Sequence, residues 1–192
     1  MKIALAQINP TIGDFSGNSD LIVDAAERAA VGGADLVAFP ELAVTGYPPR
    51  DLIEKSGFVA RCLDTVREIA TRTAHLPCGL VIGYVDYSKE PDGKPATNSA
   101  ALIDGGRILA RQDKMLLPTY DVFDELRHFE PAEHQHIWNF RGHNLGVAIC
   151  EDSWNDKQFW QRPLYERDPV QEMAGEGAEF LLSINASPFS RN

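Results

Sequence analysis

Residues 35–41 read DLVAFPE, a short apolar run that a proline cuts off just before a glutamate. Proline lacks a backbone N–H and keeps the residue before it extended, so the run is read as a strand ending near Phe39 that delivers Glu41 at its carboxyl end. Toward the amino terminus, Leu21, Ile22, Ala25, Ala26 and Ala29 recur at helical spacing, with Asn18 or Ser19 as the cap and Gly32-Gly33 as the stop. This pattern predicts a helix of about fourteen residues. Further back, Lys2 to Ile8 (KIALAQI) is another apolar run, broken by Asn9, Pro10 and Gly13. Strand, helix and strand in that order set the class as α/β.

Toward the carboxyl terminus, Phe58, Val59, Cys62, Val66, Ile69 and Ala70 form a second helical stripe that ends by His75 and Pro77 and puts Cys62 on the buried side. Three strand-like runs follow, Gly79 to Val85, Asn98 to Ile103 and Arg107 to Gln112, split by the turn sequences SKEPDGKP and DGG. After a polar loop, Tyr120 to Gln135, come Ile137 to Phe140, a turn at RGHN, and Leu145 to Cys150 (LGVAIC). A helix is expected in the Lys157 to Ala174 region, and a last strand at Glu179 to Ile184. Helices alternating with strands, then antiparallel-looking hairpins, argue for an α/β sandwich with mixed pairing in one domain. Because the chain stops in SPFSRN without a closing element, it is read as a fragment.

Of 192 residues, 44% are hydrophobic and 24% charged, a composition that can build a packed core and excludes disordered or collagen-like chains. The formal charge of −10 repels phosphate backbones and anionic membrane faces, so neither nucleic acid nor a membrane is an expected partner. No run approaches the ~20 apolar residues of a membrane span, and the opening lacks a basic leader, so a cytoplasmic location is expected. Cys62, Cys78 and Cys150, odd in number and widely spaced, are expected to be free thiols.

No GxGxxG, GxxxxGK[ST], HExxH or paired CxxC occurs, so nucleotide loops and structural zinc have no support. His134 and His136 invite a metal reading, yet they sit in a polar loop with two further histidines, His128 and His143, near by, and no metal is expected. Cys150 ends a buried run and opens a polar turn, Glu151-Asp152-Ser153-Trp154. Read alone it fits a core thiol as well as a nucleophile. Glu41 fits a turn residue as well as a base, and Lys114 a solvated lysine as well as a cation for an oxyanion.

Three separated segments couple these signals: AFPELAVTGYPPRDL, RQDKMLLPTYDVFDELRHFEP and LGVAICEDSWN. They resemble the glutamate, lysine and cysteine motifs of the nitrilase, or carbon–nitrogen hydrolase, superfamily. The opening AQINPTIGDFSGN and the KxxLPTYDVFDExRxF block narrow the resemblance to the glutaminase domains of bacterial glutamine-dependent NAD synthetases. The resemblance implies a nitrilase-like α-β-β-α sandwich with mixed sheets. Residues 1–192 are then an incomplete glutamine amidohydrolase domain, truncated at its C-terminal end, with the synthetase domain absent.

By the same resemblance, Glu41 is the general base, Lys114 the oxyanion-stabilising cation and Cys150 the nucleophile that forms a thioester. Glu125 matches the superfamily's second glutamate. Tyr120 and Phe123 are expected to wall the substrate pocket, with Glu151, Ser187 and Arg191 holding the α-amino and carboxylate groups of glutamine. The implied function is release of ammonia from glutamine for ATP-dependent conversion of deamido-NAD to NAD. The glutaminase step needs no cofactor, ATP and magnesium serving the absent domain, and a homo-oligomer is expected. The alternative is a stand-alone hydrolase acting on another ω-amide or carbamoyl compound.

Overall fold

The computed structural model describes residues 1–55 and 57–187. A first unit runs from strand β1 (Ile3–Leu5) through helix α1 (Phe15–Val31) to β2 (Leu36–Ala38). Helix α2 (Phe58–Arg72) then leads into β3 (Gly79–Tyr87), β4 (Ala96–Asp104) and β5 (Arg107–Asp113). These five strands make one sheet in sequence order, with β1, β2 and β3 parallel and β3, β4 and β5 antiparallel. A one-turn helix α3 (Glu125–His128) interrupts the polar loop. The second sheet has three strands, β6 (Trp138–Phe140), β7 (His143–Ile149) and β8 (Phe180–Ile184), β6–β7 antiparallel and β7–β8 parallel. The sequence reading of mixed pairing holds, divided between two sheets.

Strand periodicity sorts the core into two layers, because successive side chains point to opposite faces. On β2, β3 and β4, Val37, Leu80, Ile82, Ala101 and Ile103 face α1 and α2, where Ile22, Ala26, Cys62, Val66 and Ile69 meet them. Their alternates, Leu36, Val81, Ala100 and Leu102, face the second sheet, against Trp138, Phe140, Leu145, Val147, Ile149 and Leu182. Burying each large aliphatic side chain in these layers contributes about 1.5–3 kcal/mol. The outer face of β7 packs on helix α4 (Pro169–Gly175), where a Cβ on Gly146 would come within 2.9 Å of the Met173 sulfur. The layers are therefore helix, sheet, sheet, helix.

Two expectations need correction. Helix α1 begins at Phe15 and is capped by Asp14, whose Oδ1 accepts the Gly17 N–H at 2.9 Å. Asn18 and Ser19 lie inside the helix, and the Asn18 amide instead ties the chain ends of two loops by donating to the carbonyls of Thr11 and Val44 at 2.8 and 3.1 Å. The helix expected over 157–174 is confined to α4, with Asp168 as its cap and Pro169 in the first turn. Upstream, the Asp156 side chain accepts the N–H groups of Gln158 and Phe159 and makes a turn there. Phe159 and Leu164 in this stretch are 72% and 74% exposed. Among the described residues no helix is long and apolar enough to cross a membrane.

Candidate active site

Three chain segments leave strands β2, β5 and β7 at their carboxyl ends and converge. Phe39 still donates to the Val81 carbonyl, and the chain then turns across the sheet at Glu41. Gly83 makes that crossing possible, since a Cβ there would come within 2.3 Å of the Leu42 nitrogen and 2.6 Å of the Pro40 oxygen. Lys114 follows directly on β5, its N–H donating to the Asn98 carbonyl at 2.8 Å. Cys150 follows directly on β7 and opens a 3-10 turn, Cys150–Ser153, at φ 49°. A non-glycine residue in that left-handed region carries strain of about 1–3 kcal/mol, which surrounding contacts must hold.

Asp152 supplies those contacts. It is buried, and its Oδ1 accepts the N–H groups of Met115 and Leu116 at 3.0 and 2.8 Å while Oδ2 accepts that of Ile149 at 3.2 Å. One carboxylate thus fastens the segment after Lys114 to the residue before Cys150. Burial pushes Asp152 up to about 7 despite these backbone donors.

The Lys114 side chain is fully buried, and its Nζ donates to Glu41 Oε1 at 2.7 Å and to Glu125 Oε1 and Oε2 at 2.9 and 2.8 Å. Burial alone lowers the affinity of this amine for its proton, but the Glu41 and Glu125 carboxylates outweigh it and hold the ammonium above the ordinary lysine range. Glu125 is pushed up by burial against the pull of Lys114, and Tyr47 donates to its Oε1 at 2.8 Å. Glu41 Oε1 also accepts Asn98 Nδ2 at 2.8 Å, and its Oε2 accepts the Ala186 N–H at 3.1 Å.

The Cys150 thiol is 5% exposed. Burial, and then the negative charge of Glu41, push it up to about 12, while Lys114, Ser187 and the Ala186 N–H pull the other way. Ser187 Oγ lies 3.7 Å from Sγ. Cys62 and Cys78 are buried elsewhere in the helix-side core, and all three thiols are free.

Next to the thiol, the buried Glu151 carboxylate accepts the Tyr120 hydroxyl at 2.9 Å and the Tyr165 hydroxyl at 3.0 Å. It faces a cavity of about 380 Å³ walled by Tyr120, Trp154, Trp160 and Tyr165. Phe123 packs edge-on against Tyr120, centroids 5.6 Å apart, but lines a different cavity of about 600 Å³ with Tyr47 and Glu125. The two aromatic residues expected to wall one pocket thus border two. Arg191 lies outside the described residues. Tyr47, Asn98, Asp152 and Tyr165 were not singled out from sequence. Among the described residues no group of three or more His, Cys, Asp or Glu side chains is arranged to hold a metal ion.

A thiol at a strained strand end, beside a buried carboxylate–ammonium–carboxylate cluster on an α-β-β-α sandwich, defines the nitrilase-like class. The chain belongs to the carbon–nitrogen hydrolase family, whose model matches residues 2–162. It is 40% identical over 191 residues to the glutamine-dependent NAD(+) synthetase of Synechocystis sp., a match covering 98% of this chain and 34% of that protein. The corresponding enzyme of Thermotoga maritima is 35% identical, over 98% of this chain and 30% of its own. The chain therefore spans about a third of the length of these curated relatives. Among solved structures, the glutamine-dependent NAD+ synthetase from Acinetobacter baumannii in complex with ADP matches with a TM-score of 0.81 at 31% identity, over 98% of this chain and 32% of that one. An amidase from Nesterenkonia sp. matches with a TM-score of 0.76 at 27% identity, over 96% of this chain and 64% of that one. In another structure of that amidase, acrylamide has undergone Michael addition at the active-site cysteine.

Proposed function

We propose that residues 1–192 form a glutamine amidohydrolase domain that releases ammonia through a Cys150 thioester, for use by a glutamine-dependent NAD synthetase. The observation that carries this reading is the fully buried Lys114 ammonium, bonded to Glu125 and to Glu41, whose other oxygen accepts the N–H of Ala186 beside the Ser187 that contacts the Cys150 sulfur. A carboxamide is a poor electrophile, so a sulfur nucleophile that splits hydrolysis into acylation and deacylation lowers each barrier. The Cys150 proton passes to Glu41 as sulfur attacks the amide carbon. The tetrahedral oxyanion is held by Lys114 Nζ and the Glu151 backbone N–H, a pair of donors each worth about 10²- to 10³-fold in rate. To reach the oxyanion, Nζ gives up one of its two bonds to Glu125. The C–N bond then breaks, Glu41 returns the proton to the departing ammonia, and water activated by the same carboxylate cleaves the thioester to glutamate.

Glutamine is the substrate of choice for two reasons. The buried Glu151 carboxylate, steadied by two tyrosine hydroxyls, suits an α-ammonium group, and the curated relatives that match nearly the whole chain are named for their dependence on glutamine. Ser187 and Arg191 are assigned to the α-carboxylate. Deamido-NAD, ATP and magnesium belong to the synthetase step of a longer protein.

The test is ammonia release from glutamine, asparagine and simple aliphatic amides by the same preparation. Glutamine is expected to exceed each of the others at least tenfold in kcat/KM. A preference for another amide would assign the site to a different carbon–nitrogen hydrolase.

A further inference from the structure

Asn98 is fully buried in the middle of β4, opposite Val85 of β3, and it touches both charged partners of the site. Its carbonyl accepts the Lys114 N–H at 2.8 Å, and its Nδ2 donates to Glu41 Oε1 at 2.8 Å. Its Oδ1 is buried with no partner among the described residues. An orphaned acceptor of this kind costs about 1–3 kcal/mol, so a purely structural side chain here would be better apolar.

The two oxygens of Glu41 are used unequally. Oε1 receives both Lys114 Nζ at 2.7 Å and Asn98 Nδ2 at 2.8 Å, whereas Oε2 receives, among the described residues, only the Ala186 N–H at 3.1 Å. The next residue, Ser187, brings its Oγ to 3.7 Å from the Cys150 sulfur. Oε2 and Sγ therefore contact adjacent residues of one segment, Ala186 and Ser187. Without Asn98, Oε1 would rest on the flexible Lys114 side chain alone and Oε2 on one longer bond from Ala186. A second donor on Oε1, from a different strand, fixes the plane.

We infer that Asn98 is a positioning residue which, with Lys114, occupies Glu41 Oε1 and so makes Oε2 the atom that takes the Cys150 proton and returns it to the leaving nitrogen. The inference rests on the proposed roles of Glu41 and Cys150. It adds no reagent, because the proton moves from Sγ to Oε2 and then to ammonia. The charged and titratable groups around Glu41 are Lys114, Glu125, Tyr47 and Cys150.

Asn98→Leu removes the donor at every pH. Asn98→Asp keeps the shape, sets a carboxylate against Oε1 at neutral pH, and restores an O–H donor once protonated. Ammonia release from glutamine, and the rate of Cys150 alkylation by iodoacetamide read by peptide mass mapping, would be followed from pH 5.5 to 8, with melting curves to establish folding. Misplacing a reacting group by about 1 Å costs about 100-fold. Asn98→Leu is accordingly expected to lower kcat about 100-fold throughout, with KM within threefold. Asn98→Asp should match it at pH 8, and its rate relative to wild type should rise at least tenfold by pH 5.5, in both assays. Folded variants within threefold of wild type, or an Asn98→Asp ratio that stays flat with pH, would overturn the inference. If Asn98→Leu does not fold, the pH dependence of the Asn98→Asp ratio decides alone. If wild type releases no ammonia from glutamine, the glutamine reading fails, and the alkylation ratio still decides the role of Asn98.

Discussion

Replacing Lys114 by Met keeps the length of the side chain and removes its charge, leaving two carboxylates in the core with no cation between them. The wild-type ammonium lies 2.7 Å from Glu41 and 2.8 Å from Glu125, with side-chain exposures of 0%, 0% and 5% for the three groups. Breaking a buried pair by deleting one partner costs about 3–5 kcal/mol, because the remaining charge is left uncompensated. For a chain of this size each kcal/mol lowers Tm by about 2–4 °C, so the expected drop at pH 8 is about 6–20 °C. The sign with pH follows from the direction of the shifts. A carboxyl whose folded pKa is raised, as burial already raises Glu125, contributes stability at low pH that is lost as pH rises through the folded value. The deficit of Lys114→Met should therefore be largest at pH 8 and shrink toward pH 5. In wild type, Lys114 is held above its unfolded value, so its contribution persists at neutral pH and disappears only on the alkaline side. Urea titrations and calorimetry of both proteins at pH 5, 6.5 and 8 measure this. A deficit below about 1 kcal/mol at pH 8, or one that grows on acidification, would refute the picture of a buried charge cluster held by one ammonium.

Cys150→Ala should reduce ammonia release from glutamine more than 1,000-fold. Cys62→Ala, whose sulfur only accepts the Val85 N–H at 3.4 Å in the core, should keep kcat within twofold while lowering stability by about 1 kcal/mol in urea. Tyr165→Phe removes one of the two hydroxyl donors on Glu151, and the loss of about 1 kcal/mol should raise KM for glutamine about fivefold with kcat nearly unchanged in steady-state assays. Because burial pushes the Cys150 thiol up to about 12 from an ordinary 9, its thiolate fraction at pH 8 is about 1,000-fold below that of a free cysteine. Its alkylation rate by iodoacetamide, without substrate, should rise about tenfold per pH unit from 8 to 10, and a plateau near pH 8 would contradict the burial of the thiol.

What the sequence discloses follows from how locally each feature is written. Pro40 before Glu41, and the polar turn after Cys150, mark strand ends by short-range chemistry, and both residues sit at strand ends in the fold. Lys114 carries no such local mark. Its charged partners, Glu41 and Glu125, lie 73 and 11 residues away, so the sequence around it reads equally as a solvated lysine until the family resemblance couples the three. The division into two sheets is equally non-local, since a continuous apolar run such as β3 says that both faces are covered and not by what. The helix expected from Lys157 forms only from Pro169, because the Asp156 side chain holds the N–H groups of Gln158 and Phe159 in a turn. Asn98 and Asp152 did have a signal: a polar residue inside or just after an apolar strand must find partners when buried. Those partners, Glu41 for one and the backbone of residues 115, 116 and 149 for the other, become visible only in three dimensions.

The central claim, that Cys150 is the nucleophile of a glutamine amidohydrolase, is tested most directly by a diazo-ketone analogue of glutamine. The folded protein would be treated with the analogue with and without competing glutamine, and the adduct located by peptide mass mapping. One stoichiometric adduct on Cys150, suppressed by glutamine, is the predicted result. An adduct on Cys62 or Cys78, or one on Cys150 that glutamine does not suppress, would contradict it.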